Sequence, residues 1–225
     1  FVVAGLMGVV LEMTLIRRLY GRPLDTLLVT CGVALVLQQA ARDIFGSQGV
    51  QVVAPEWLAG GVDVLGITIA SSRIFIFVLA IGAVLALYAV LQLTPLGRRV
   101  RAVVQNRNLA ETSGIPTGRI DRTTFFIGSG LAGVAGVAVT LLGSISSVLG
   151  MAYIIPAFLV VVVGGIGQIK GAVIAAFALG ILQSFFEYAE FIGSSLAPAY
   201  LFVGIVIFLQ FRPQGLFTVR TRSLA

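Results

Sequence analysis

Long runs of apolar residues, broken by short polar or glycine-rich stretches, dominate this chain. In lipid every backbone N–H and C=O must be bonded within its own segment, so such runs are read as helices. A helix that crosses the hydrocarbon core needs about 20 mostly apolar residues. On that basis seven spans are predicted, at residues 1–16, 24–45, 73–94, 123–143, 154–166, 171–190 and 197–211. The first begins at Phe1 inside an apolar run, with neither an initiator Met nor a basic leader, so N-terminal spans are expected to be missing. No charged or low-complexity linker divides the runs. The expected fold class is all-α, a polytopic transmembrane helical bundle forming one domain over residues 1–225.

Residues 154–182, IIPAFLVVVVGGIGQIKGAVIAAFALGIL, decide the number of passes. A single helix of that length would extend about 43 Å, against a core of about 30 Å. It would also hold Gly164, Gly165, Gly167, Lys170 and Gly171 at its centre, where each glycine costs about 1 kcal/mol. Two short helices joined by a glycine-rich turn are expected instead. Residues 46–72 form a long connection with β-branched alternation near 50–53 and 62–69, expected to be a small hairpin or a surface helix.

Composition supports the membrane reading. The chain is 58% hydrophobic and 11% charged, with a mean hydropathy of +1.06, whereas soluble domains are about 45–50% apolar and about 25% charged. One cysteine and no histidine exclude a disulfide framework and most metal sites. The net charge of +6 invites a nucleic-acid partner, but the distribution of charge argues otherwise. Thirteen of the fifteen basic residues fall on one side of the seven-span arrangement, and only Arg42 and Arg73 fall on the other. Cytoplasmic loops carry such an excess. Asp43, Glu56, Asp63, Glu187 and Glu190 lie in the opposite loops, which suits the outer face.

One polar segment stands apart: residues 96–122, LGRRVRAVVQNRNLAETSGIPTGRIDR, with six arginines. Residues 98–112 read as one amphipathic helix, with Val100, Val103, Val104 and Leu109 on the apolar side. Ser113-Gly114 followed by Pro116 reads as its stop, because glycine accepts the left-handed conformation past a helix end and proline cannot continue the helix. Asp121 is placed to cap the next span. Such a segment either lies on anionic lipid, worth about 1 kcal/mol per nearby basic residue, or seats in a groove of a cytoplasmic partner. Lipid contact accounts for the arginines but not for the Glu111 carboxylate.

GRRVRAVVQNRNLAETSGI resembles the coupling loop of ABC importer permeases of the branched-chain amino acid and urea family. FFIGSGLAGVAGVAVTLLG, AFLVVVVGGIGQIKGAVIAAFALGIL and LQFRPQGLF follow in the family's order, and the resemblance covers essentially the whole chain. GIPTGRIDRTTFFIGSGLAGVAGVA, SFFEYAE and LQFRPQGLF look most like the urea permease subunit, while SISSVLGMAYII departs from the proline and glycine pattern of both branches. The resemblance implies a multi-pass protein of the bacterial cytoplasmic (inner) membrane. It implies a second homologous permease subunit, two cytoplasmic ATPase subunits and a periplasmic substrate-binding protein as partners. ATP would sit on the ATPases, with no cofactor or metal in this chain. Within a coupling loop at about residues 95–121, it places Arg98, Arg101, Asn106, Ala110, Glu111 and Gly114 in the coupling helix and its flanks.

Other candidates come from spacing. Gly128, Ala132 and Gly136, with Ser129 and Gly133 one residue over, offer small residues at helical spacing in the fourth span, where helix backbones can approach closely. That seam either shifts during transport or packs statically. Gly164, Gly165 and Gly167 are not a Walker loop, because Lys170 is followed by Gly171. They form either a broken helix facing the translocation path or a tight cytoplasmic turn. Thr26, Thr30, Gln38 and Gln39 in the second span offer hydroxyl and amide groups to a small neutral solute, or bond between helices. Glu12 is expected to pair with Arg17 or with an arginine of the polar loop, and Glu187 and Glu190 share an outer helix face.

The function expected is that of a permease subunit of an ATP-driven, binding-protein-dependent importer for urea or short amides, working by alternating access. Branched-chain amino acid import is the alternative within transporters, and an ATP-independent small-solute channel is the alternative of another class. Covalent chemistry is not expected, since histidine, a mid-span acid pair and a G-x-S-x-G elbow are all lacking.

Overall fold

The computed structural model describes residues 1–19, 22–46, 55, 58, 60–64, 67–165, 167–188, 197–212 and 215–216. These group into two compact units, Phe1–Leu149 and Gly150–Ala225. The division falls at the start of an apolar helix and not at a polar linker, so composition carries no mark of it.

The first unit contains α1 (Val2–Thr14), α2 (Pro23–Phe45), the hairpin β1 (Gly61–Val64) and β2 (Ile67–Ala70), then α3 (Ser71–Leu93), α4 (Pro95–Gln105), α5 (Arg107–Thr112) and α6 (Thr117–Thr140). Pro23 opens α2 with its preset φ, and Asp25 in the first turn suits the positive end of the helix dipole. The hairpin is antiparallel, with Val62 opposite Ile69 and Asp63 opposite Thr68. The hairpin expected in the 46–72 connection is thus present at 61–70, while residues 50–53 lie outside the described residues.

α1 and α6 pack in opposite order along their lengths: Ala4 meets Gly133, Gly8 meets Ser129 and Glu12 meets Arg122. The Phe1 ring stands edge-on to Phe126 with centroids 5.5 Å apart. The approach is close enough that a Cβ on Gly8 would lie 2.5 Å from the Ser129 Cβ. This corrects the seam expected at Gly128, Ala132 and Gly136. Gly128 and Gly136 face open space, Ala132 is exposed, and the row one residue over makes the contact. Both rows carry small residues at helical spacing, so composition does not say which one turns toward a neighbour.

The second unit contains α7 (Leu149–Gly164), α8 (Ile169–Tyr188) and α9 (Ala197–Phe211). Its core is Val163, Ala175 and Ile205, one from each helix, with Leu159, Leu179 and Phe208 packed around them. The helix break expected within residues 154–182 is present, and Gly165 and Gly167 take φ of 100° and 86° there. α7 begins at Leu149, five residues before the expected start, with Pro156 inside it. A proline within a helix removes one donor, and membrane helices tolerate this. Similarly, α6 begins at Thr117 and not at 123, because its first two turns are polar and escape a hydropathy criterion.

Among the described residues, four helices are long and apolar enough to cross a membrane: Leu24–Phe45, Ser71–Leu93, Thr117–Thr140 and Ile169–Tyr188. α1, α7 and α9 are shorter, with 13, 16 and 15 residues.

Candidate functional site

The polar segment between α3 and α6 folds as two helices, which corrects the single helix expected over 98–112. The break is at Asn106, whose backbone is extended (φ −157°, ψ 105°). Its side-chain Oδ1 accepts the Leu109 N–H at 3.0 Å, capping α5. Asparagine is among the best N-caps because its carbonyl oxygen satisfies one of the orphan donors of a first turn. The stop expected at Ser113-Gly114 is formed. Gly114 takes φ 80°, its N–H bonds the Glu111 carbonyl, and the Ile115 N–H bonds the Ala110 carbonyl, both at 3.0 Å. This paired pattern satisfies helix-end carbonyls and needs a left-handed residue at the turn.

A charged cluster joins α5 to α6. Arg107 Nη2 lies 2.8 Å from Asp121 Oδ2, and Arg107 Nε lies 3.4 Å from Glu111 Oε1. The Thr117 hydroxyl donates to Glu111 Oε1 at 2.6 Å. Asp121 therefore does not cap the following span. α6 starts earlier, at an N-cap position held by Pro116 without a side-chain bond, and Asp121 faces Arg107 instead. Arg107 is the residue that sequence reasoning missed. Its signal was its spacing from Glu111, since residues four apart on a helix are neighbours.

Among the expected coupling residues, Arg98, Arg101, Asn106, Glu111 and Gly114 are exposed. Ala110 is buried at 5% exposure and so packs within the unit rather than on its surface. Arg101 Nη1 donates to the Leu91 carbonyl at 3.3 Å, which ties α4 back to α3. Glu111 is half exposed but already bonded within the chain. Of the partners expected for Glu12, the one it meets is Arg122, at 3.8 Å.

The candidates for the path are less converged. Thr26 donates to the Arg22 carbonyl at 3.0 Å, and Thr30 to the Leu27 carbonyl at 3.0 Å. Their hydroxyl protons are thus used on nearby backbone carbonyls, leaving oxygen lone pairs for any solute. Gln38, with Leu35, Val36, Gln39 and Arg42, lines an open depression of about 350 Å³ on one face of α2. Arg42 Nε donates to the Ser147 hydroxyl at 2.9 Å, and Gln39 Nε2 donates to Asp43 at 2.8 Å. Of the glycines between α7 and α8, Gly164 and Gly165 are buried and Gly167 is exposed. The end of α7 is closed from an unexpected quarter: the Leu216 N–H donates to the Val163 carbonyl at 2.7 Å. Glu187 accepts from Gln183 at 2.9 Å, and Glu190 lies outside the described residues.

The profile described as branched-chain amino acid transport system / permease component matches residues 1–210. The high-affinity branched-chain amino acid transport system permease protein LivH of Escherichia coli (strain K12) is 28% identical over 197 residues, covering 86% of this chain and 63% of that protein. The corresponding permease protein BraD of Pseudomonas aeruginosa is 29% identical over 202 residues, covering 87% of this chain and 64% of that protein. The autoinducer 2 import system permease protein LsrD of Salmonella paratyphi B is 33% identical over 123 residues, covering 50% of this chain and 37% of that protein. The chain thus spans a little under two thirds of the length of LivH and BraD. No solved structure matches.

Proposed function

Because this chain belongs to the family of permease components of branched-chain amino acid transport systems, we propose that it is a membrane-spanning permease subunit of an ATP-driven, binding-protein-dependent importer for branched-chain amino acids. It is a multi-pass protein of the inner membrane, with four helices among the described residues long and apolar enough to cross a bilayer. Seven passes are our fuller reading, with α1, α7 and α9 as short spans. A second homologous permease, two cytoplasmic ATPase subunits that carry the ATP, and a periplasmic binding protein complete the assembly. α4 and α5 form the segment that docks on the ATPases, and the α2 face with Gln38 and the Gly164–Gly167 turn contribute to the path.

The observation that carries this reading is the family match over residues 1–210. The urea specificity favoured by SFFEYAE and LQFRPQGLF has no support among the relatives described, which are permeases for branched-chain amino acids or autoinducer 2. Arg42 beside Gln38 adds a physical reason, because a cation next to an amide suits a carboxylate-bearing solute better than urea.

The test is uptake of labelled leucine into vesicles containing the full-length permease, its sister permease, the ATPases and the binding protein. ATP-dependent leucine uptake that excess urea leaves unchanged is the expected result. Urea uptake insensitive to leucine would return the substrate to the urea branch. Uptake indifferent to ATP would overturn the importer reading in favour of a channel.

A further inference from the structure

Glu12 is the largest fully buried side chain among the described residues, at 0% exposure. It sits on the α1–α6 seam, near the end of α1 that leads to Arg17 and Arg18. Its charged neighbour, Arg122 Nε, is 3.8 Å away, and that Nε and both Glu12 oxygens make no hydrogen bond among the described residues. The Arg122 side chain as a whole is 37% exposed, so the cost falls on Glu12, whose carboxylate has lost its water without gaining the bonds that normally offset the loss. A buried carboxylate so poorly satisfied needs a reason to persist, and one reason is that the geometry of its pair changes during function.

Its position supplies that reason. Arg122 follows directly after Asp121, and consecutive helical residues point about 100° apart. One turn of α6 therefore reaches two ways. Asp121 holds α5 through Arg107 at 2.8 Å, and Arg122 faces Glu12 of α1. Arg107 in turn reaches Glu111, at the exposed end of α5. Charged side chains thus run from the surface of the polar segment to a buried point between two helices.

We propose that Glu12 and Arg122 are positioning residues for transport, the inner joint of an ionic relay whose outer joint is Glu111–Arg107–Asp121. A displacement of α5 passes through the first turns of α6 to α1, and the 3.8 Å pair closes into direct hydrogen-bonded contact in the alternate state. This inference rests on the permease reading above. It assigns α1, which makes no bond to α5 in any described ion pair, a part in the response to the ATPases.

The experiment measures solute uptake per ATP hydrolysed in the complete reconstituted transporter. It compares the unaltered protein with Glu12→Gln, with the apolar pair Glu12→Leu/Arg122→Leu, and with the exchange Glu12→Arg/Arg122→Glu. The relay predicts that the Gln and double-Leu variants assemble and hydrolyse ATP while uptake per ATP falls about tenfold, a size typical of coupling between sites. The exchange restores it. A double-Leu variant that transports as well per ATP as the unaltered protein would show that the pair is only packing and overturn the relay. So would failure of both the Gln and double-Leu variants to assemble, which makes the pair structural. If the unaltered protein itself shows no ATP-dependent uptake, the permease reading has failed, and that outcome is distinguished by the control.

Discussion

Gly8 and Gly128 look alike in sequence, each a glycine within an apolar helix, yet their surroundings differ completely. A Cβ on Gly8 would lie 2.0 Å from the Ser129 hydroxyl oxygen and 2.5 Å from the Ser129 Cβ, whereas one on Gly128 meets nothing within 4 Å. The hydroxyl can rotate away, but the Ser129 Cβ moves only with its backbone. Gly8→Ala is therefore expected to lower the midpoint of thermal unfolding in detergent, by the equivalent of about 1–3 kcal/mol for an overpacked contact. Gly128→Ala is expected to be neutral or to stabilise by up to about 1 kcal/mol through helix propensity. Equal responses from the two variants would place the seam elsewhere.

At the scale of elements, both joints that shape the polar segments are single residues acting on backbone. Asn106→Ala removes the cap of α5 and leaves the Leu109 N–H without its side-chain acceptor. The expected result is about fivefold faster amide exchange over residues 107–112, from a cap worth about 1 kcal/mol, with Asn106→Asp close to unaltered. Gly215 is the second joint. It takes φ 76°, and a Cβ there would fall 2.7 Å from the Val162 carbonyl oxygen and 2.9 Å from that of Val163. Gly215→Val faces a left-handed conformation costing about 1–2 kcal/mol, as well as backbone atoms that cannot yield. Loss of protection at the Leu216 amide, which now bonds Val163, is the expected readout. The apolar runs made the helices and the break at Gly164–Gly167 legible in the sequence, because burial and glycine cost act locally. The Asn106 cap was legible in principle, since an asparagine between Gln105 and Arg107 interrupts a helix pattern with a preferred N-cap. The rotation of α6 and the closure of α7 by Leu216 were not legible. Each depends on which distant segment arrives, and no local spacing encodes that.

For the whole molecule, the question is what α2 faces. None of its apolar window is buried within the chain, and Leu28, Leu35 and Val36 are 76%, 61% and 68% exposed. Such a surface belongs against lipid or another protein over most of its circumference. One strip is different. Gln38 and Arg42 lie on the face that holds the depression, and Cys31, seven residues before Gln38, returns to that face after two helical turns. Cys31 is the chain's single cysteine and is exposed, so the unaltered protein carries its own probe. If this strip borders the path, a charged thiol reagent should label Cys31 in the assembled transporter, and bound substrate should slow the labelling. Reaction confined to a membrane-permeant reagent would assign the strip to lipid. It would also remove Gln38 from the path. Arg42 would then serve only to hold the C-terminal end of α2 against Ser147. The two outcomes differ because a charged reagent stays in water and a permeant one also enters lipid, so a single residue reports which way the helix is turned.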